Sequence, residues 1–261
     1  MNRIICLILL ASGIGFAGAV HADPEADRLA LVEYYQQRFP DIEWQDFANG
    51  LYAFDEDARN QWIEMEDFPP YEIAVEEGEE YFNTPFANGK GYADCFDNGG
   101  IGIRQNYPYF DRTLGEVVTM ELAINQCREE NDEEPLPYLV GELVAISAYM
   151  SYTSRGSTVN VNVPSDDPRA LQAFEAGKEF YYSRRGQLNF ACSSCHAQSA
   201  GLSLRADSLS TSLGQTTHWP VYRSSWGDIG SLHKRFSECN VRFAHDLLRR
   251  RVWNFETSNT F

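Results

Sequence analysis

Cys192-Ser193-Ser194-Cys195-His196 limits what this chain can become more than any other feature. Two thiols two residues apart, with a histidine directly after the second, let one turn of backbone make three bonds to one object. The thiols add across the vinyl groups of a haem, and the adjacent imidazole becomes an axial ligand of its iron. A zinc site would want a second ligand pair, and no further Cys-x-x-Cys or His-x(3–5)-His follows the motif. A thioredoxin-like redox pair would want a strand before it. Here a capped helix and a loop through Gly186 lead into the cysteines. The motif therefore predicts one covalently attached haem c, held by Cys192, Cys195 and His196.

The ligand opposite His196 decides what kind of cytochrome this is. Electron carriers commonly use a methionine after the motif, but Met1, Met65, Met120 and Met150 all precede Cys192. The downstream candidates are His218, His233, Cys239 and His245. Histidine would give a bis-histidine electron carrier; Cys239 would give a sulfur-ligated iron.

Cysteine arithmetic bears on that choice. Asn2 and Arg3 precede an apolar run from Ile4 to Ala11, and Val20-His21-Ala22 fits a small-residue cleavage site. Residues 1–22 thus read as a signal peptide, with the periplasm as compartment in a Gram-negative cell, and no later stretch reads as a membrane span. Removing Cys6 with the signal leaves Cys95, Cys127, Cys192, Cys195 and Cys239. In an oxidising compartment Cys95 and Cys127 can pair, the alternative being two free buried thiols. Cys239 is left over. The net charge of −17 argues against nucleic acid or an anionic membrane as partner and suits docking to a basic protein, although acidity also simply keeps an exported chain soluble.

The chain divides near 151–168, where a polar, β-branched stretch runs into Val163-Pro164-Ser165-Asp166-Asp167-Pro168. After it, Ser165 or Asp166 can cap a helix through Tyr182, with Ala170, Leu171, Phe174, Gly177, Phe180 and Tyr181 on one apolar face. Gly177 would permit close approach of another helix. Residues 74–82 match 173–181 at four of nine positions, glycine included, and an aromatic pair closes both. Cys95 follows Gly78 by 17 residues and Cys192 follows Gly177 by 15. Cys95 thus stands where a first haem cysteine would stand, without a second cysteine or a histidine. The prediction is an all-α fold of two cytochrome c-like domains related by an internal repeat, the first having lost its haem. They would span residues 23–152 and 165–261. Helices are expected over Thr119–Cys127 and around Pro137–Tyr152, with residues 25–66 as short helices and loops packed on something larger.

Around the leftover cysteine the chain reads Ser231-Leu232-His233-Lys234-Arg235-Phe236-Ser237-Glu238-Cys239. On a helix Arg235 and Cys239 are one turn apart and share a face, so a guanidinium fork would stand beside the thiol, suited to an oxyanion. Taken alone, Arg235 is better explained as a solvated charge, whereas a small buried hydrophobe is the weaker reading of Cys239, given export and the pairing of the other cysteines.

In series, several stretches resemble the SoxA family, the haem subunits of the SoxAX cytochromes of sulfur oxidation. They are Cys95-Phe96 with Gly99-Gly100, Ile103 to Asp111, Glu121 to Arg128, Cys192 to His196, Leu204-Arg205, Gly214-Gln215, His218 to Arg223, and Arg235 with Cys239-Asn240. The chain looks like the single-haem branch, in which a disulfide, here Cys95–Cys127, stands in for the missing haem. The resemblance implies an L-cysteine S-thiosulfotransferase. In it, Cys239 would be a persulfide that ligates the iron opposite His196 and acts as the catalytic sulfur, and Arg235 would bind the sulfonate of thiosulfate. The acceptor would be a cysteine of a SoxYZ-like sulfur carrier, and a SoxX-like cytochrome subunit would take electrons. After Arg242 this chain, with Arg249-Arg250-Arg251, departs from the family pattern of a last helix laid across the first helix of the haem domain.

Overall fold

The computed structural model describes residues 22–205 and 207–244. The expected signal peptide, the tail after Ala244 and the candidate ligand His245 lie outside these residues.

Helix α1, Pro24–Arg38, starts where Asp23 accepts from the Ala26 amide and Pro24 presets the first turn. After 3-10 turns over Trp44–Ala53 come α2, Glu56–Met65, and α3, Glu72–Asn83. A loop of short 3-10 turns leads to the hairpin of β1, Tyr109–Asp111, and β2, Glu116–Val118, paired Tyr109 with Val118. Helices α4, Met120–Glu129, and α5, Glu142–Tyr152, complete the first half. Helix α6, Pro168–Tyr182, follows an extended crossing segment and is capped by Asp167, one residue after the expected caps. The Cys-x-x-Cys-His segment forms a single π-helical turn over Ser194–Gln198. Two more hairpins follow: β3, Ser203–Leu204, with β4, Asp207–Ser208, and β5, Val221–Arg223, with β6, Asp228–Gly230. Helix α7, Leu232–Ala244, comes last among the described residues.

The molecule is thus largely helical but not purely so, since three two-stranded antiparallel sheets interrupt the helices. Strands of two or three residues are too short to show a period of two in the sequence.

The first half is built around α5. Leu143, Val144, Ala145, Ile146, Ser147, Ala148 and Met150 are all buried, so this helix is apolar all round and sits in the centre. Helix α3 lies against it through Gly78, where a Cβ would overlap the Ala145 carbonyl oxygen and crowd Tyr149. Phe82, Met120, Ile124 and Tyr92 fill the same core, which also takes in Ile229 from β6. A disulfide joins Cys95 to Cys127 of α4. The matching glycine of α6 behaves differently: among the described residues nothing comes within 4 Å of a Cβ at Gly177. The expected close helix approach is therefore seen at Gly78 and not at Gly177.

The division near residue 152 does not partition the packing. Helix α1, placed by sequence with the first half, docks on the second. Its Tyr35 hydroxyl donates to the His196 carbonyl, Tyr34 donates to the Ala197 carbonyl at 3.2 Å, and Arg38 reaches the Gln198 and Ala200 carbonyls at 2.9 and 3.2 Å. The reason is local. One isolated turn leaves its last carbonyls without intrahelical donors, and α1 supplies them. Lys178 of α6 pairs with Asp27 at 2.6 Å, and Tyr35, Phe47 and Ala200 share a small buried core.

Two substitutions test this packing. Gly78→Ala should lower unfolding stability by about 3 kcal/mol, because a backbone carbonyl blocks the new methyl. Tyr35→Phe should cost about 1–3 kcal/mol by stripping a buried donor from the His196 carbonyl. Denaturant midpoints of the haem-loaded protein check both; a change under about 0.5 kcal/mol in either contradicts the packing described.

Candidate haem and sulfur site

The π turn puts Cys192, Cys195 and His196 on one short stretch, with both thiols half-buried and free of disulfides. Ser194 is buried, and its hydroxyl accepts from the Ala191 amide at 3.1 Å, closing the turn at its start. At its end the carbonyls are taken by α1, and the Ser212 amide donates to the His196 carbonyl at 3.1 Å. The histidine is therefore fixed by its backbone before its ring is considered.

The ring is oriented as an iron ligand needs. His196 Nδ1 lies 3.0 Å from the Ser210 carbonyl, which can only accept, so Nδ1 carries the proton and Nε2 keeps its lone pair. Metal-bound histidines are held this way, with the second nitrogen donating to a carbonyl. The Gln215 amide nitrogen sits 3.2 Å from both ring nitrogens. Burial pushes the imidazole below its ordinary pKa; the Ser210 carbonyl opposes that shift and the Arg235 charge adds to it. The ring is thus kept neutral, as coordination demands.

Helix α7 brings the second set of residues to the same place. Burial raises the Cys195 thiol, with Cys239 raising it further and Arg235 lowering it. Burial also raises Cys192, opposed by Arg185 and reinforced by Cys239 and Cys195. Cys239 and Arg235 thus act on the motif residues from the one helix face the sequence assigned them. The Cys239 thiol is itself free and half-buried.

The other two described histidines, His218 and His233, have partners elsewhere. His218 Nε2 lies 2.7 Å from the Ala48 carbonyl, and its ring stands edge-on to Tyr52. The His233 ring packs edge-on against Tyr138, with Nδ1 3.9 Å from a carboxylate oxygen of Glu121.

These residues fit a covalently held haem. Two half-buried thiols, an imidazole whose Nδ1 faces the Ser210 carbonyl and a third thiol on α7 are its donor set. Leu188, Phe190, Leu202, Leu204, Phe236 and Val241, large and exposed, flank the motif and α7 in sequence and suit a broad apolar ring system. Among the described residues no group of three or more His, Cys, Asp or Glu side chains gathers as a bare-ion site, and no helix is long and apolar enough to cross a membrane.

The sequence did not reveal Tyr34, Tyr35 and Arg38 as supports of the motif, nor Ser210 as the partner of His196. Gln215 lay in a stretch that carried the resemblance, but nothing in the sequence tied it to the histidine.

Comparisons with known proteins identify the family of the chain. A family model described as SoxA/TsdA, cytochrome c domain, matches residues 77–159. The L-cysteine S-thiosulfotransferase subunit SoxA of Allochromatium vinosum is 48% identical over 234 residues, covering 90% of this chain and 83% of that protein. Its counterpart in Chlorobaculum tepidum is 52% identical over 216 residues, 83% of this chain and 74% of that one. A crystal structure of SoxXA from P. pantotrophus superposes with a TM-score of 0.62 at 32% identity, over 72% of this chain and 71% of that chain. With a cytochrome c-like domain, a largely helical fold and identity of this extent along most of its length, the chain belongs to the SoxA family.

Proposed function

We propose that this chain is the haem subunit of a SoxAX-type L-cysteine S-thiosulfotransferase. It joins thiosulfate oxidatively to a cysteine of a SoxYZ-like sulfur carrier, and electrons leave to a SoxX-like partner cytochrome. The observation that carries this reading is that Cys239 and Arg235, one turn apart on α7, lie within electrostatic reach of Cys195, and Arg235 of His196 as well. The relatives' shared name and the SoxXA assembly of the solved structure support the activity and the partner.

Cys192 and Cys195 would hold one haem c by thioether bonds, and His196 Nε2 and the Cys239 sulfur, as a persulfide, are the side-chain atoms that would ligate its iron. When bound, the haem takes up electrons one at a time, and a second haem in the partner makes removal of a pair practical. The chain's own side chains do the rest. Arg235 offers two parallel donors to the sulfonate oxygens of thiosulfate and so aims its outer sulfur. Cys239 supplies the sulfur at which the exchange occurs. Overall, the carrier thiol gives up its proton, one sulfur–sulfur bond forms to thiosulfate, and two electrons depart. The bis-histidine alternative has less support, because His218 and His233 already bond to or pack against other groups.

The same reading covers the organisation of the chain. Residues 1–22 direct export to the periplasm. Residues 23–152 and 165–261 are the two copies of an ancestral repeat, with the Cys95–Cys127 disulfide where the first copy lost its haem. The family's cytochrome c model falls on residues 77–159, the copy without a haem motif, which supports that descent.

Cys239→Ala should retain covalent haem by intact mass and lose thiosulfate-dependent turnover by at least about tenfold, and the wild-type Cys239 peptide should carry one extra sulfur. Full turnover in that variant would sink the enzyme reading. Arg235→Ala should raise the KM for thiosulfate by about tenfold or more, the worth of one charge-assisted hydrogen bond. Unchanged kinetics would return Arg235 to a solvated charge.

A further inference from the structure

We propose that Glu121 of α4 and His233 of α7 are a positioning pair that sets the rotation of α7, and through it the placement of Arg235 and Cys239. The proposal rests on the role given above to those two residues.

The pair is unusual for where it lies. Glu121 is only 4% exposed, yet it sits in the middle of the molecule with no lysine or arginine bonded to it among the described residues. The Ser147 hydroxyl of α5 donates to one carboxylate oxygen at 3.0 Å, and His233 Nδ1 faces the other at 3.9 Å. Burial alone would raise this carboxyl. The neighbouring His233 and Arg104 side chains, its own backbone amide and the Ser147 hydroxyl outweigh burial and hold it below the usual carboxylate range. Among the described residues neither His233 Nδ1 nor Arg104 Nε has a hydrogen-bond partner, although Arg104 Nη1 donates to the Tyr107 carbonyl at 3.1 Å, so the buried carboxylate is the nearby acceptor charge for both unpartnered atoms. A buried carboxylate between two such groups is costly to displace, which is what a fixed reference point requires.

The rest of the first turn of α7 is tied to the same neighbourhood. Ser231, fully buried, accepts from the Lys234 amide at 3.2 Å as a helix cap and donates to the Tyr138 carbonyl at 2.7 Å. The Tyr138 ring packs against His233. Groups facing His233 are therefore Glu121 from α4, Tyr138 from the segment before α5 and, through Glu121, the Arg104 charge.

Helix geometry makes this attachment specific. Arg235 comes two residues after His233, about 200° around the helix, and Cys239 is within about 40° of Arg235. One face of α7 is thus held by the first half while the other is presented to the motif. Ser231 fixes where the helix begins, and a second contact off the axis is needed to fix its rotation. His233 supplies that contact.

The test uses the haem-loaded protein with its partner. Glu121→Gln keeps the shape and removes the charge; His233→Gln removes the ring. Each should split the ferric low-spin paramagnetic-resonance signal of this chain's haem, identified against that of the partner alone, into more species than the wild type shows and raise the KM for thiosulfate by about tenfold, the effect of a small misplacement. The double variant should be no worse than the worse single, as for two members of one interaction. Lower thermal stability with an unchanged signal and KM would reduce the pair to packing, and strictly additive effects would show two unrelated residues; either overturns the proposal. Where Glu121→Gln does not fold, His233→Gln, at a partly exposed side chain, is judged by the same two readouts. A wild-type signal without a sulfur ligand would overturn the proposed function instead. The pair would then still be judged by the change in signal between variant and wild type.

Discussion

The hydrogen bond from His196 Nδ1 to the Ser210 carbonyl is what the rest of the site depends on. It fixes the ring's tautomer, and with it which nitrogen is free for a metal. A bond of this kind is useful only if the histidine's backbone does not move. Helix α1 meets that need by donating to the carbonyls of His196, Ala197, Gln198 and Ala200, in and just after the π turn. An N-terminal helix and a turn some 160 residues later are thereby parts of one support.

The first half serves as the anvil for this site. Its own core is closed by the tight crossing of α3 and α5 at Gly78 and by the Cys95–Cys127 disulfide. Loop-closure estimates give such a link about 3–4 kcal/mol. The helix that carries Cys127 also carries Glu121, so the segment secured by the disulfide is the one that faces α7. On the function proposed above, the first half then has a mechanical role, holding α7 where Arg235 and Cys239 meet the Cys-x-x-Cys-His motif.

Much of the site was legible because its chemistry is local. Cys192, Cys195 and His196 are specified by spacing alone, and Cys239 emerged because every other cysteine had a use and every methionine came too early. Arg235 followed from helical spacing. What stayed hidden depends on contacts far apart in the chain. Tyr34, Tyr35 and Arg38 are ordinary surface residues of an amphipathic helix until the turn they cap is in place. Glu121 reads as one more acid in an acidic chain, and only its burial marks it out. The repeated nonapeptide also misled at one point: Gly78 and Gly177 share a sequence context, yet only the first is crowded by another helix among the described residues.

X-ray absorption at the iron edge of the ferric, haem-loaded protein tests the central claim most directly. The account predicts one sulfur scatterer beside the porphyrin and imidazole nitrogens, lost in Cys239→Ser. A first shell of nitrogen or oxygen alone would contradict it.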